Sequence, residues 1–363
     1  MRQPARGEGE GWPAGRAARA ERKGRPTPGQ DPSNSPTRVT VLAGGVGGAR
    51  LAHGLSMLSR VELTVIVNTG DDLELHGLDV SPDVDTVLYA LAGLANPETG
   101  WGLRDETWSA HEMLGRYGAP TWFRLGDRDL ATHLVRTSRL RGGMTPTDVT
   151  GELAQALGVR ARVLPMSDRP VRTRVRTPGG WLDFQEWFVA RAHADDALEI
   201  RFDGVEDARP TERVLSAVAS ADALVIAPSN PFVSIGTILA LPGMAAALTG
   251  AGAPVVAVSP IVAGVALKGP ADRMLETLGG ESSALGVARH YAGRYPGLLD
   301  GLVIDRADEA QAAQVEALGI RALATSAVMR DDADRARLAG EVLAFAAELR
   351  TGRDASRVTR QEG

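Results

Sequence analysis

Four glycines in five residues, Gly44, Gly45, Gly47 and Gly48, join a short apolar run to an amphipathic one in "VTVLAGGVGGARLAHGL", residues 39–55. Glycine lets the backbone turn sharply and brings N–H groups close to an anion at a helix N-terminus. Phosphate binding is the chemistry this pattern suits, although a strand-to-helix turn can be built the same way without a ligand. The spacing narrows the choice. Gly45-Val46-Gly47-Gly48-Ala49-Arg50 puts arginine where a dinucleotide fingerprint needs its third glycine, and no Gly-Lys-Ser/Thr follows, so neither that fingerprint nor a P-loop is present.

A second apolar run leads into "NTGDDLELHGLDVSPDVDT", residues 68–86. Asn68, Asp71 and Asp72 fall just past its end, and Asp83 and Asp85 follow on a Ser-Pro-Asp loop. Clustered carboxylates can hold Mg²⁺, which neutralises a diphosphate, or accept hydrogen bonds from sugar hydroxyls. Ser81 or Asp83 can equally cap a helix, but so many acids exceed what capping needs. An acid this far past a glycine loop also suits the ribose of NAD; the glycine spacing argues against it.

Two further stretches, "WGLRDETW" (101–108) and "WFRLGDRDLATH" (122–133), set tryptophans beside alternating charges that include Arg124, Asp127, Arg128 and Asp129. Charge alternation alone reads as a solvated face. With the aromatics it also fits a wall that recognises a polar heteroaromatic ring. In "LVIAPSNPFVSIGTILALPGM" (224–244), Ser229 and Asn230 end another apolar run, a second junction suited to phosphate or base contact and equally to a proline-rigid capped turn. Lys268, one of only two lysines, follows in "VSPIVAGVALKGPADRM" as a further phosphate contact. The six histidines show no metal-ligand spacing, no serine-nucleophile signature stands out, and the absence of cysteine excludes disulfides and thiolate chemistry.

These residues must be positioned by an α/β framework. Short apolar runs at 38–42, 63–67, 223–227, 255–259, 301–305 and 321–325 alternate with helical patterns at 47–58, 85–94, 213–220, 235–241, 309–318 and 332–349. That alternation predicts a Rossmann-like, mainly parallel sheet with helices on both faces. "PVRTRVRTPGGWLDFQEWF" reads as a hairpin about Pro178-Gly179-Gly180, and "TPTDVTGELAQALG" as a capped helix. Residues 117–209 are therefore expected as an inserted α+β subdomain within a single domain over 38–350. Residues 1–37, rich in Arg, Pro and Gly, and 351–363 are expected as disordered extensions. The net charge of -5 gives no global attraction to nucleic acid or an anionic membrane. No apolar stretch suits a membrane span, and a reducing cytoplasm fits the lack of cysteine.

In order along residues 39–265, the pieces "GGVGGARL", "VNTGDD", "SPDVDTVLYAL", "WGLRDETW", "LGDRDLATHLVRT", "LPMSDRPVRT", "FQEWFV", "APSNPFVSIGTIL" and "VSPIVAG" resemble the 2-phospho-L-lactate transferase family of coenzyme F-420 biosynthesis, whose actinobacterial branch is named for phosphoenolpyruvate transfer. The resemblance implies Mg²⁺-dependent transfer of a phospholactyl or phosphoenolpyruvyl group from a guanosine diphospho-donor to the deazaflavin Fo, with release of GMP. It further implies Fo contacts at Asp85 and Arg124. Joined to the residue chemistry, it gives Asp85 as the group that orients the acceptor hydroxyl, a metal among Asp71, Asp72 and Asp85, and donor contacts at Gly44, Gly45, Gly47, Gly48, Ser229, Asn230 and Lys268. The Ala-Arg form of the glycine loop leans towards the enolpyruvyl donor, and a homodimer is expected. A related nucleotide-sugar-binding regulator of the YvcK type shares the fold and a glycine loop; the "GDRD" and "WGLRDETW" pieces favour the transferase.

Overall fold

The computed structural model describes residues 35–361; residues 1–34 of the expected N-terminal extension lie outside the described part. Among the described residues a seven-stranded parallel sheet is built from β1 (Thr37–Ala43), β2 (Val61–Val67), β3 (Arg162–Pro165), β4 (Ala223–Ile226), β5 (Val255–Val258), β6 (Gly301–Asp305) and β7 (Arg321–Thr325). Their spatial order is β7-β6-β5-β4-β1-β2-β3. The chain winds outward from β1 through β2 to β3, then returns to start again at β4 on the other side of β1. The order therefore reverses between β1 and β4, where an open α/β sheet leaves a crevice outside its carboxyl ends.

The strands are apolar along their length because both faces are covered. Val39, Val41 and Ala43 of β1 join Val65, Val67 and Val225 in one core, whereas Leu42, Ile66, Leu224 and Ile226 belong to the core on the opposite face. Alternation within each strand thus feeds two cores. The fold is the Rossmann-like α/β arrangement that the sequence pattern predicts. Thr37 already pairs with Val61, so the first strand begins inside the segment expected as an extension.

The stretch 117–209 divides differently from its expected outline. Arg162–Pro165 leaves it to pair with β2 as the edge strand of the main sheet. Only Val163 and Leu164 are aliphatic there, too short a run to announce a strand. The hairpin Arg172–Thr177/Gly180–Asp183 does form, and Glu199–Asp203 pairs with its first strand to complete a separate antiparallel sheet. Trp187, Phe184 and Val175 pack a small core beneath it.

Four helices matter for the site: α1 (Gly45–Ser56), α2 (Pro82–Leu91), α3 (Asp127–Arg141) and α4 (Asp332–Gln361). The last runs through residues 351–361, expected as a frayed tail. Helix α3 is a finding the sequence pattern did not disclose. Its run "DRDLATHLVRTSRLR" is dominated by charge, and its buried residues are His133, Arg136 and Thr137 instead of an aliphatic stripe.

Helix α1 lies against the start of α4 at Gly54, where an added Cβ would stand 2.2 Å from the Arg335 carbonyl oxygen. Gly54→Ala is therefore expected to force the two backbones apart and to lower stability by about 1–3 kcal/mol in urea unfolding.

Candidate active site

The turn after β1 and the turn after β4 meet at the reversal of strand order. Ser229 Oγ donates to the Gly44 carbonyl at 2.7 Å and accepts from the Gly44 N–H at 3.1 Å. Gly45 has φ +63°, the left-handed region that favours glycine. Gly47 and Gly48 are required by contact: a Cβ on Gly47 would stand 2.2 Å from the Pro228 carbonyl oxygen, and one on Gly48 would stand 2.7 Å from Ser229 Oγ. The glycines thus bring the start of α1 directly against the β4 turn. Among the described residues the N–H groups of Val46 and Gly47 have no hydrogen-bond acceptor, as the first turn of a helix leaves them.

A buried polar cluster lies beside this turn. Asp83 Oδ1 accepts from Gly45 N–H at 2.8 Å and Oδ2 from Asn68 Nδ2 at 2.9 Å. Asn68 Oδ1 in turn accepts from Gly70 N–H at 2.8 Å, fixing the loop that carries Asp71 and Asp72. Burial pushes the Asp83 carboxyl up to about 6, against the opposing bonds from Asn68 and Gly45. Asp71 is raised well above the usual carboxylate range, by burial first and by the neighbouring Asp83 second, while Asn68 and Thr173 hydrogen bonds oppose the rise. Asp72 accepts from Ser81 Oγ at 2.9 Å, and its carboxyl is pushed up to about 7 by burial, with Arg172 and Ser81 pulling it down. Asp71 Oδ1 and Asp72 Oδ1 are both buried without a hydrogen-bond partner. A buried carboxylate oxygen left in that state is costly, and a divalent cation is one partner that would relieve it.

Asp85 has a different partner from these acids. Its side chain is buried on α2 and forms a bidentate ion pair with Arg136 of α3, with Arg136 Nη1 donating to Oδ2 at 3.0 Å and Nη2 to Oδ1. The ligand atoms of the expected metal trio, Asp71, Asp72 and Asp85, do not all lie within 4.8 Å of one another. Among the described residues, the group whose ligand atoms do converge within 4.8 Å is Asp85, Asp129 and His133. Arg136 already supplies the cation there, so that trio is not an open metal site.

The charged stretches around the tryptophans resolve into helix caps. Glu106 accepts from the N–H groups of Arg128 and Asp129 at 2.8 and 3.1 Å, closing the start of α3. Asp127 accepts from the N–H groups of Ser109 and Ala110 at 3.1 and 2.9 Å, closing the helix Ser109–Arg116. The Arg124 guanidinium remains exposed, 4.0 Å above the Trp108 ring. Asn230 Oδ1 is used by its own turn, accepting from Phe232 N–H at 2.8 Å, and Lys268 is exposed in a loop beyond β5. The sequence pattern marked Asp129 and the stretch ending at His133 but missed Arg136; the 4- and 3-residue spacing of the three on one face would have shown once α3 was assigned as helix.

A glycine turn and buried carboxylates at the switch point define a Rossmann-like α/β protein with a candidate site at the carboxyl ends of its parallel strands. The chain belongs to the 2-phospho-L-lactate transferase CofD family, whose model matches residues 39–343. It is 47% identical over 319 residues to a phosphoenolpyruvate transferase of Streptomyces griseus, covering 86% of this chain and 99% of the relative. A phosphoenolpyruvate transferase of Mycobacterium avium is 44% identical over 314 residues, covering 79% and 92% respectively. The crystal structure of protein BH3568 from Bacillus halodurans has a TM-score of 0.61 at 19% identity, covering 85% of this chain and all of that one, a likeness of fold.

The raised Asp72 carboxyl has a measurable consequence. An unfolded aspartate titrates near about 4 and the folded one at about 7, so the folded state holds this proton more tightly. The associated stability is complete below about pH 4 and is lost as pH rises to about 7. In EDTA, Asp72→Asn should therefore be more stable than wild type at pH 8, with the advantage shrinking towards pH 4 in chemical unfolding.

Proposed function

We propose that the protein transfers a phosphoenolpyruvyl group, or its 2-phospholactyl counterpart, from a guanosine diphospho-donor to the terminal ribityl hydroxyl of the deazaflavin Fo. The hydroxyl oxygen forms a new bond to the phosphorus that carries the enolpyruvyl or lactyl unit. The bridging P–O bond breaks, GMP leaves with the bridging oxygen, and the hydroxyl proton is released. Family membership supports the reaction class, and the phosphoenolpyruvate transferases at 44–47% identity support the enolpyruvyl form. The observation that carries the reading is that the crevice side holds both unpartnered N–H groups at the start of α1 and orphaned carboxylate oxygens on the loop after β2.

In this reading the N–H groups of Val46 and Gly47, at the positive end of α1, bind the diphosphate. Gly44, Gly45, Gly48 and Ser229 hold that turn in place, because their contacts join it to the β4 turn. Asp71 and Asp72 would hold Mg²⁺, which supplies charge neutralisation of the diphosphate when bound. Arg124 on Trp108 offers an exposed cation on an aromatic platform for the deazaflavin ring, and Asp85 accepts the hydrogen bond of the acceptor hydroxyl. Positioning and electrostatics then suffice for phosphoryl transfer, with no covalent protein intermediate.

The test is purified protein with Fo, Mg²⁺ and each guanosine donor in turn, read by product mass and GMP. Product with the enolpyruvyl donor is expected, and EDTA should abolish it. Asp71→Asn should raise the Mg²⁺ concentration for half-maximal rate by about tenfold or more. No product from either donor, with guanine nucleotide or a nucleotide-sugar still bound, would replace this reading with a binding regulator.

A further inference from the structure

We infer that Arg136 is a positioning residue for the transfer: its guanidinium, fixed from α3, sets the orientation of the Asp85 carboxylate towards the acceptor. The inference rests on the reading of Asp85 as the contact for the acceptor hydroxyl. Arg136 is 4% exposed, and its fork takes both Asp85 oxygens, so the carboxylate plane is fixed and each oxygen keeps capacity for one more donor.

The guanidinium is itself held from other directions. His133 Nδ1 lies 3.1 Å from Arg136 Nη1. An arginine N–H can only donate, so Nδ1 accepts and the Nε2 side of the ring, 3.4 Å from Asp129 Oδ2, carries the proton. Tyr89, one turn along α2 from Asp85, donates to Asp129 Oδ1 at 2.7 Å and lies 2.8 Å from Thr132 Oγ1. His133 Nε2 itself is buried without a hydrogen-bond partner, so α2 and α3 are joined at two separate points, Asp85–Arg136 and Tyr89–Asp129/Thr132. Two cross-links one helical turn apart fix both helices in rotation, which a lone ion pair does not.

A purely structural pair would need no opening beside it. Here a cavity of about 160 Å³ reaches Arg136, lined also by Thr69, Asp72, Ser81, Arg169 and Arg172. Arg136, which holds Asp85, thus also lines this cavity together with Asp72. Lysine cannot reproduce the planar fork, so the charge and the geometry can be separated by substitution.

The experiment compares Arg136→Lys and Arg136→Ala with wild type in steady-state transfer to Fo, with thermal unfolding alongside. Arg136→Lys should fold, keep the donor KM and lose about 100-fold in kcat. Guanidinium at millimolar concentration, entering through the cavity, should restore part of the Arg136→Ala rate, while the same concentration of ammonium should not. A folded Arg136→Lys protein with wild-type kcat overturns the inference. So does a folded Arg136→Ala protein whose rate guanidinium leaves unchanged; if that variant does not fold, Arg136→Lys decides alone. A wild type that transfers to no acceptor overturns the positioning role together with the functional reading. In that case ¹⁵N-arginine NMR tells the two failures apart: a slowly exchanging guanidinium signal that disappears in Arg136→Lys and shifts in Asp85→Asn shows that the pair stands without the activity.

Discussion

The paired hydrogen bonds between Ser229 Oγ and the Gly44 backbone join two turns that are 185 residues apart in sequence. They can form only because Gly47 and Gly48 let the first turn of α1 approach Pro228 and Ser229 without a side chain between them. The approach occurs where the strand order reverses, so a constraint on backbone contact also decides where the crevice opens. Everything that lines the crevice is then placed relative to this junction, beginning with Asp83, which reaches Gly45 from the start of α2.

Burial of carboxylates is the second constraint. Asp71, Asp72 and Asp83 are all raised, because burial outweighs the hydrogen bonds that favour their charged forms. Asp85, two residues beyond Asp83, is instead matched by the Arg136 guanidinium, which also acts on Asp72. Asp71 and Asp72 each keep one unpartnered oxygen, whereas Asp85 has a fixed partner. Breaking the Asp85 pair is costly, since it would leave a buried charge alone, whereas Asp71 and Asp72 gain from any cation that reaches them.

The charged stretches near the tryptophans show how a recognition pattern and a capping pattern share residues. Glu106 and Asp127 each cap the helix that follows the other's segment, so both acids are consumed by local structure. Arg124, exposed above Trp108, takes part in neither cap. The aromatic cluster likewise divides: Trp187 fills a small core, while Trp108 forms a platform.

The sequence by itself determined the parallel α/β class, six of the seven main strands and the two glycine- and serine-bearing junctions, because continuous aliphatic runs and turn residues are local signals. It also placed Asp71, Asp72 and Asp85 near one strand end. The partner of each acid was decided only by the tertiary structure. Helix α3 carries no aliphatic stripe, so nothing periodic announced that His133 and Arg136 face inward, and Arg136 reaches Asp85 across 51 residues of chain. The edge strand Arg162–Pro165 was hidden for a related reason, since its stability comes from pairing with β2 and not from its own two aliphatic residues.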